Sequence, residues 1–190
     1  MDCLLLSMEN NPTSARYPTS NFAVYLETSI LVSSKLNMKK TALFPGSFDP
    51  FTKGHEAIVH KALSVFDEII ILLAENTSKQ TMFSLEKRME HIAGIFKDNQ
   101  AVSVQKYSGL TVDFCKQHNI KYIIRGLRDS KDFQYERSIA HINFELSGSI
   151  ETVFFLTDLH LSAINSSIVR EIYKNHGDIK QFVTRPALLV

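Results

Sequence analysis

The feature that most constrains this chain is the unbroken aliphatic run Ile69-Ile70-Ile71-Leu72-Leu73, closed by Glu68 on one side and Glu75 beyond Ala74 on the other. A strand with no polar residue at either parity has no face to offer water, so it belongs inside a sheet covered on both sides. Shorter apolar segments recur at 41–44, 122–124 and 153–156, and Val102-Ser103-Val104 alternates as a short strand does. Helical stripes separate them. From about Gly54, residues Ile58, Val59, Ala62, Leu63 and Phe66 fall at i, i+3, i+4 spacing. Ser84 is placed to cap a helix carrying Leu85, Met89, Ile92 and Phe96. A third helix covers about 111–118. A longer one runs through Phe133, Ile139, Ile142 and Leu146 to a stop at Gly148, and a last one starts at Asn165-Ser166-Ser167 and ends around Gly177.

Five β-α repeats with short connections predict an α/β fold, a doubly wound five-stranded parallel sheet with helices on both faces. Ligands of such sheets bind beyond the carboxyl ends of the strands, near the point where strand order reverses. The chemistry is therefore expected in the post-strand loops, at 45–54, 75–81, 107–111, 125–132 and 157–167, each of which carries polar or basic residues. The length of 190 residues suits one domain with little left over. Residues 1–37 read differently, rich in Ser, Asn and Thr and without sustained periodicity. The functional domain is expected to span 38–190, preceded by a disordered extension or a misassigned start. The alternative is an added strand around Phe22 to Leu26.

A net charge of +1 gives no basic excess of the kind nucleic-acid coats show, so no nucleic-acid partner is expected. No apolar run approaches the roughly 20 residues that cross a bilayer, and no signal sequence is legible, so no membrane partner is expected either. Cys3 and Cys115 lie far apart without a CxxC spacing, which points to a reduced, intracellular protein. The remaining histidines (His60, His91, His118, His141, His160 and His176) form no i, i+4 pair or HExxH motif, so no protein metal site is expected.

Three blocks are suited to phosphate. In Pro45-Gly46-Ser47-Phe48-Asp49-Pro50-Phe51-Thr52-Lys53-Gly54-His55, Gly46 follows a strand and would let backbone approach a ligand, while Gly54-His55 opens a helix whose free N–H groups attract an anion. His55 could donate a hydrogen bond to a phosphate oxygen as charge builds; alone, it could equally be a packed helix-start residue. In Ile164-Asn165-Ser166-Ser167, small polar residues could cap a helix or meet phosphates. In Ile123-Ile124-Arg125-Gly126-Leu127-Arg128, two arginines could clamp phosphate oxygens or pair with surface carboxylates. Lys79 is either a ligand of the same kind or a solvated lysine.

Taken together these blocks carry a family resemblance. Thr52, Gly54 and His55 match the T-x-G-H signature of the nucleotidyltransferase superfamily, and Ile164 to Ser167 resembles its I-S-S-S block, with Asn165 in place of a serine. The segments Lys79-Gln80-Thr81-Met82-Phe83 and R-G-L-R-x(3)-D-F-x-Y-E, beginning at Arg125, resemble the phosphopantetheine adenylyltransferases, from about Met38 to Val183. The resemblance implies the Rossmann-like sheet of nucleotidyltransferases and transfer of AMP from ATP to 4′-phosphopantetheine, giving dephospho-coenzyme A and pyrophosphate. It implies His55 as the catalytic residue. Ser47, Lys79, Thr111 and Arg125 would bind phosphopantetheine. Ser47, Phe48, His55, Gly126, Leu127, Arg128, Glu136, Leu161, Ser162, Ala163, Ile164, Asn165, Ser166 and Ser167 would contact ATP. It further implies Mg2+ carried on ATP, a cytoplasmic homohexamer, and feedback binding of coenzyme A. An adenylyltransferase for nicotinate mononucleotide, a cytidylyltransferase and a noncatalytic nucleotide-binding regulator are the alternatives.

Overall fold

A computed structural model describes residues 39–75 and 80–189. Lys79, Cys3 and the whole of 1–37, with the alternative strand at Phe22, lie outside the described residues. Five strands, β1 (Thr41–Gly46), β2 (Glu68–Ala74), β3 (Val102–Tyr107), β4 (Tyr122–Leu127) and β5 (Glu151–Leu156), form one parallel sheet in the order β3-β2-β1-β4-β5. The helices are α1 (Lys53–Ala62), α2 (Leu85–Ile95), α3 (Thr111–Gln117), α4 (Ser130–Ser147) and α5 (Ser166–Lys174).

Strand parity divides the core. Ala42, Phe44, Ile69, Ile71, Leu73 and Ile124 pack with Ile58, Val59 and Ala62 of α1 and Ile92 of α2 on one face. Leu43, Leu72 and Ile123 pack with Val112, Phe114 and Cys115 of α3 on the other. This is why the β2 run had to be apolar at both parities. A third, smaller cluster joins Val169 of α5 and Phe83 to Ile179, Val183 and Leu189 of the C-terminal segment.

Three expectations need correction. Phe66 is buried, but the helix is capped at Leu63, so Phe66 reaches the core from the following turn and not from the helical stripe. Strand β4 runs on to Leu127, which places Arg125 and Gly126 in the strand's last turn of ladder instead of in a loop. The apolar residues of α4 do not form a core stripe: Phe133, Ile142 and Leu146, with Tyr135 and Phe144, are exposed.

The reversal of strand order falls between β1 and β4. These two strands pair only at Ala42↔Tyr122 and Leu43↔Ile123, whereas β1 and β2 stay in register from Thr41↔Glu68 to Gly46↔Leu73. Beyond Leu43 the β1–β4 ladder stops, and the crevice opens there.

Candidate active site

Two clefts open at this crevice. The first, about 300 Å³, is bounded by the start of α1 (Thr52, Gly54, His55), the end of β4 (Arg125, Gly126, Arg128) and the start of α5 (Asn165, Ser166, Ser167). The second, about 330 Å³, lies between the end of β1 and helices α3 and α4, with Leu110, Thr111, Val112, Ile139 and Ala140 on its walls. Ser47, Arg125 and Glu136 line both.

Two helix N-termini point their free amides and positive dipole ends at the first cleft. At α5 the Asn165 side chain is the N-cap, accepting from the Ile168 amide at 2.9 Å. At α1 the imidazole itself closes the turn: the Thr52 amide donates to His55 Nδ1 at 3.0 Å, and the Thr52 hydroxyl lies 3.1 Å from the same atom. An amide can only donate, so Nδ1 holds a lone pair and the ring proton sits on Nε2, free to donate into the cleft. Phe48 and Phe51 pack against the ring at 5.2 and 5.3 Å between centroids. Burial in this aromatic cage, reinforced by the charges of Arg125 and Arg128, lowers the His55 pKa from 6.5 to about 4. At neutral pH His55 is an uncharged hydrogen-bond donor.

Three arginines line the same cleft, two of them forked onto carboxylates and the third held by a main-chain carbonyl. Arg125 gives Nε to Glu136 Oε2 at 2.7 Å and Nη2 to Oε1, a bidentate pair, while Nη1 reaches across the crevice to the Pro45 carbonyl at 2.5 Å. Arg128 makes a second fork to Asp132, at 2.8 and 2.9 Å. Arg170 donates to the Asp49 carbonyl at 2.6 Å, with the Asp49 carboxylate 3.9 Å away. The guanidinium planes are thus fixed before any ligand arrives.

The 47–50 segment is tied down with the same economy. Both carboxylate oxygens of buried Asp49 accept amides, from Met82 and Phe83, each at 2.9 Å. The Ser166 hydroxyl donates to the Pro50 carbonyl at 2.8 Å. Gly46 lines the second cleft and also serves packing: a β-carbon there would stand 2.6 Å from the Phe48 ring. Gly126 is likewise needed where β4 meets α1, since its β-carbon would lie 2.9 Å from Ile58 Cγ1.

Of the residues singled out in the sequence, the structure brings Ser47, His55, Arg125, Gly126, Arg128, Glu136, Ile164, Asn165, Ser166 and Ser167 to the first cleft and Thr111 to the second. Others do not line either cleft. Phe48 is buried behind His55. Leu127, one residue past a glycine that faces α1, turns to the opposite side of the strand and is buried. Leu161, Ser162 and Ala163 form a short 3-10 turn and its exit, where the Ser162 hydroxyl is committed to the Leu159 carbonyl at 2.7 Å. Sequence reasoning assigned no role to Asp132, Thr157 or Arg170, which line the first cleft, nor to Asp49 and Arg88 behind it. Arg170 lies three residues past Ser167, one helical turn beyond the serines, the one signal that could have found it.

A parallel sheet whose reversal point gathers two helix starts, a neutral imidazole and pre-set arginines is a nucleotidyltransferase arrangement, and the cytidylyltransferase-like family model matches residues 43–172. Two solved chains, crystal structures of a bifunctional NMN adenylyltransferase/ADP ribose pyrophosphatase from Francisella tularensis, share the fold. One has a TM-score of 0.60 at 19% identity over 77% of this chain and 45% of its own, and the other, complexed with AMP and Mn ion, has 0.58 at 18% over 78% and 46%. Phosphopantetheine adenylyltransferase of Flavobacterium psychrophilum is 49% identical over 144 residues, 76% of this chain and 95% of that protein. The Bacteroides thetaiotaomicron protein of the same name is 46% identical over the same shares. The chain belongs to the phosphopantetheine adenylyltransferase family, within the cytidylyltransferase-like group.

Proposed function

We propose that this chain transfers AMP from ATP to 4′-phosphopantetheine, releasing pyrophosphate and forming dephospho-coenzyme A. The observation that carries the reading is the junction: a polar, arginine-walled cleft and a largely apolar one share Ser47, Arg125 and Glu136. One holds a triphosphate against two helix starts, and the other holds a pantetheine arm beside Thr111. Their phosphates meet at the shared wall. Lys79, assigned from the motif, joins Arg125 in binding the acceptor.

The acceptor phosphate is already an anion, so its oxygen attacks the α-phosphorus directly, the bond to the bridging oxygen breaks, and pyrophosphate leaves with the electron pair. No base is required. Catalysis is positioning and charge stabilisation. Nε2–H of His55 donates to the α-phosphate oxygens as negative charge gathers on them, and the α5 backbone amides of Ser166 and Ser167 hold the leaving group. ATP enters as its magnesium complex. Asp132 and Glu136, the carboxylates on the cleft wall, are spent on Arg128 and Arg125, which suits an ion held by phosphates and water rather than by a protein cage.

The exposed apolar side chains of α4 (Phe133, Tyr135, Ile142, Phe144, Leu146) and Leu156 on edge strand β5 support a homo-oligomer, taken as a hexamer from the resemblance. Cytoplasmic location and feedback binding of coenzyme A complete the reading. Among the described residues no helix is long and apolar enough to cross a membrane.

The test is a pyrophosphate-release assay pairing ATP or CTP with 4′-phosphopantetheine or nicotinate mononucleotide. Turnover only with ATP and 4′-phosphopantetheine is expected; turnover with another pair, or ATP binding without product, overturns the proposal. His55→Ala is expected to lower kcat by on the order of 10²–10³ while ATP still binds.

A further inference from the structure

Arg88 of α2 is 4% exposed and lines neither cleft, yet its guanidinium ties the start of its own helix to the segment that carries Ser47. Nε donates to the carbonyls of Phe83, at 3.0 Å, and Ser84, at 3.3 Å, and Nη1 donates to the carbonyl of Ser47. All three hydrogen bonds go to main-chain oxygens. Asp49 works from the opposite direction, taking the Met82 and Phe83 amides. A cation and an anion therefore clasp residues 47–49 to residues 82–84 through alternating carbonyls and amides. The two charges attract one another without forming an ion pair: burial lowers the Arg88 pKa and the Asp49 charge raises it.

A buried guanidinium is costly to desolvate, so a site that needed only packing would be better filled by an apolar side chain. What the guanidinium uniquely provides is a rigid fork that fixes carbonyls on two chain segments at once. One of those carbonyls belongs to Ser47, the residue standing where the two clefts meet. We propose that Arg88 is a positioning residue for the transfer step, setting Ser47 at the cleft junction through the Ser47 carbonyl. The inference rests on the reaction proposed above.

The experiment compares Arg88→Lys and Arg88→Met with wild type, the wild-type enzyme first being shown to release pyrophosphate from ATP and 4′-phosphopantetheine. Failure of that control sinks the proposed reaction and not the clasp. ATP-competent sites are counted by calorimetric titration without acceptor, and kcat is expressed per competent site. Expected is an ATP dissociation constant within about twofold of wild type and a kcat per site down by on the order of 10², because misplacing a positioning group by about 1 Å costs that much. Lysine keeps the charge but not the fork, so Arg88→Lys should fall most of the way with Arg88→Met. Wild-type kcat per competent site in either variant makes Arg88 merely structural and overturns the proposal, as does full activity of Arg88→Lys alone, which would reduce the effect to charge. Should both variants fail to fold by circular dichroism, Asp49→Asn, which loosens the clasp from the other segment, carries the same measurement. Failure of all three to fold assigns the clasp to stability and overturns it equally.

Discussion

Titrating His55 gives the sharpest physical test of the site. The folded protein holds this imidazole at a pKa of about 4, mainly through burial and then through Arg125 and Arg128, against 6.5 for an unconstrained histidine. Between those values the unfolded chain binds a proton that the native state refuses. Stability from this group is therefore complete above about pH 6.5 and is lost as pH falls toward 4. Each pH decade in that interval is worth about 1.4 kcal/mol, so the full loss approaches about 3 kcal/mol. That is a large share of a typical folding free energy of about 5–15 kcal/mol.

The assay is urea unfolding of wild type and His55→Asn from pH 7.5 to 4.5. Asparagine can still accept the Thr52 amide but cannot take up a proton, so the two proteins should diverge in slope below pH 6.5, wild type losing stability faster. Carboxylates and His91, whose pKa burial also lowers, titrate in both and cancel in the difference. A nitrogen-15 spectrum should independently place the proton on Nε2 at pH 7, because Nδ1 faces the Thr52 N–H. A difference curve flat with pH, or a ring protonated on Nδ1, would refute the reasoning.

Further outcomes follow from the packing. Gly126→Ala should destabilise by about 1–3 kcal/mol through the clash with Ile58; in a double-mutant cycle Ile58→Ala should relieve part of that, and strict additivity would deny the contact. Leu189→Ala, removing a side chain 1% exposed in the C-terminal cluster, should cost about 2–5 kcal/mol by urea titration. The same C-terminal segment accepts the first amide of α1, Lys53 N to Phe182 O at 2.9 Å, so deleting residues 178–190 should lower activity as well as stability. Cys115 is fully buried with its thiol pushed up to about 11, so iodoacetamide at pH 8 should leave its peptide unmodified until the protein unfolds; rapid alkylation of native protein would contradict that burial.

What could be read from the sequence was what local pattern encodes. The β2 run announced a doubly covered strand, Ser84 and Asn165 announced their helices by their capping chemistry, and the T-x-G-H and serine blocks marked the two helix starts that face the cleft. Local pattern fails where a residue's role is fixed by a partner far away in the chain. Arg88 looks like any lysine-flanked surface arginine until Ser47, 41 positions earlier, comes to lie on its guanidinium, and Arg170 meets Asp49 only across 121 positions. The same limit explains the glycines. Gly46 and Gly126 stand in phosphate-suited blocks and line the clefts, and their missing side chains also make room for Phe48 and for Ile58, which the sequence does not show. Neighbourhood in sequence does not give a side chain's direction either: Leu127 sits between two cleft residues, and strand alternation turns its side chain the other way. The histidine shows the two kinds of information acting together. Sequence spacing brings its imidazole back to the amide that begins its own helix and so fixes the tautomer, whereas the tertiary cage of Phe48 and Phe51 and the arginines of β4 fix its charge. A neutral Nε2–H donor requires both. A substitution that spares Thr52 and His55 but opens the cage, such as Phe51→Ala, should accordingly raise the His55 pKa while leaving the proton on Nε2.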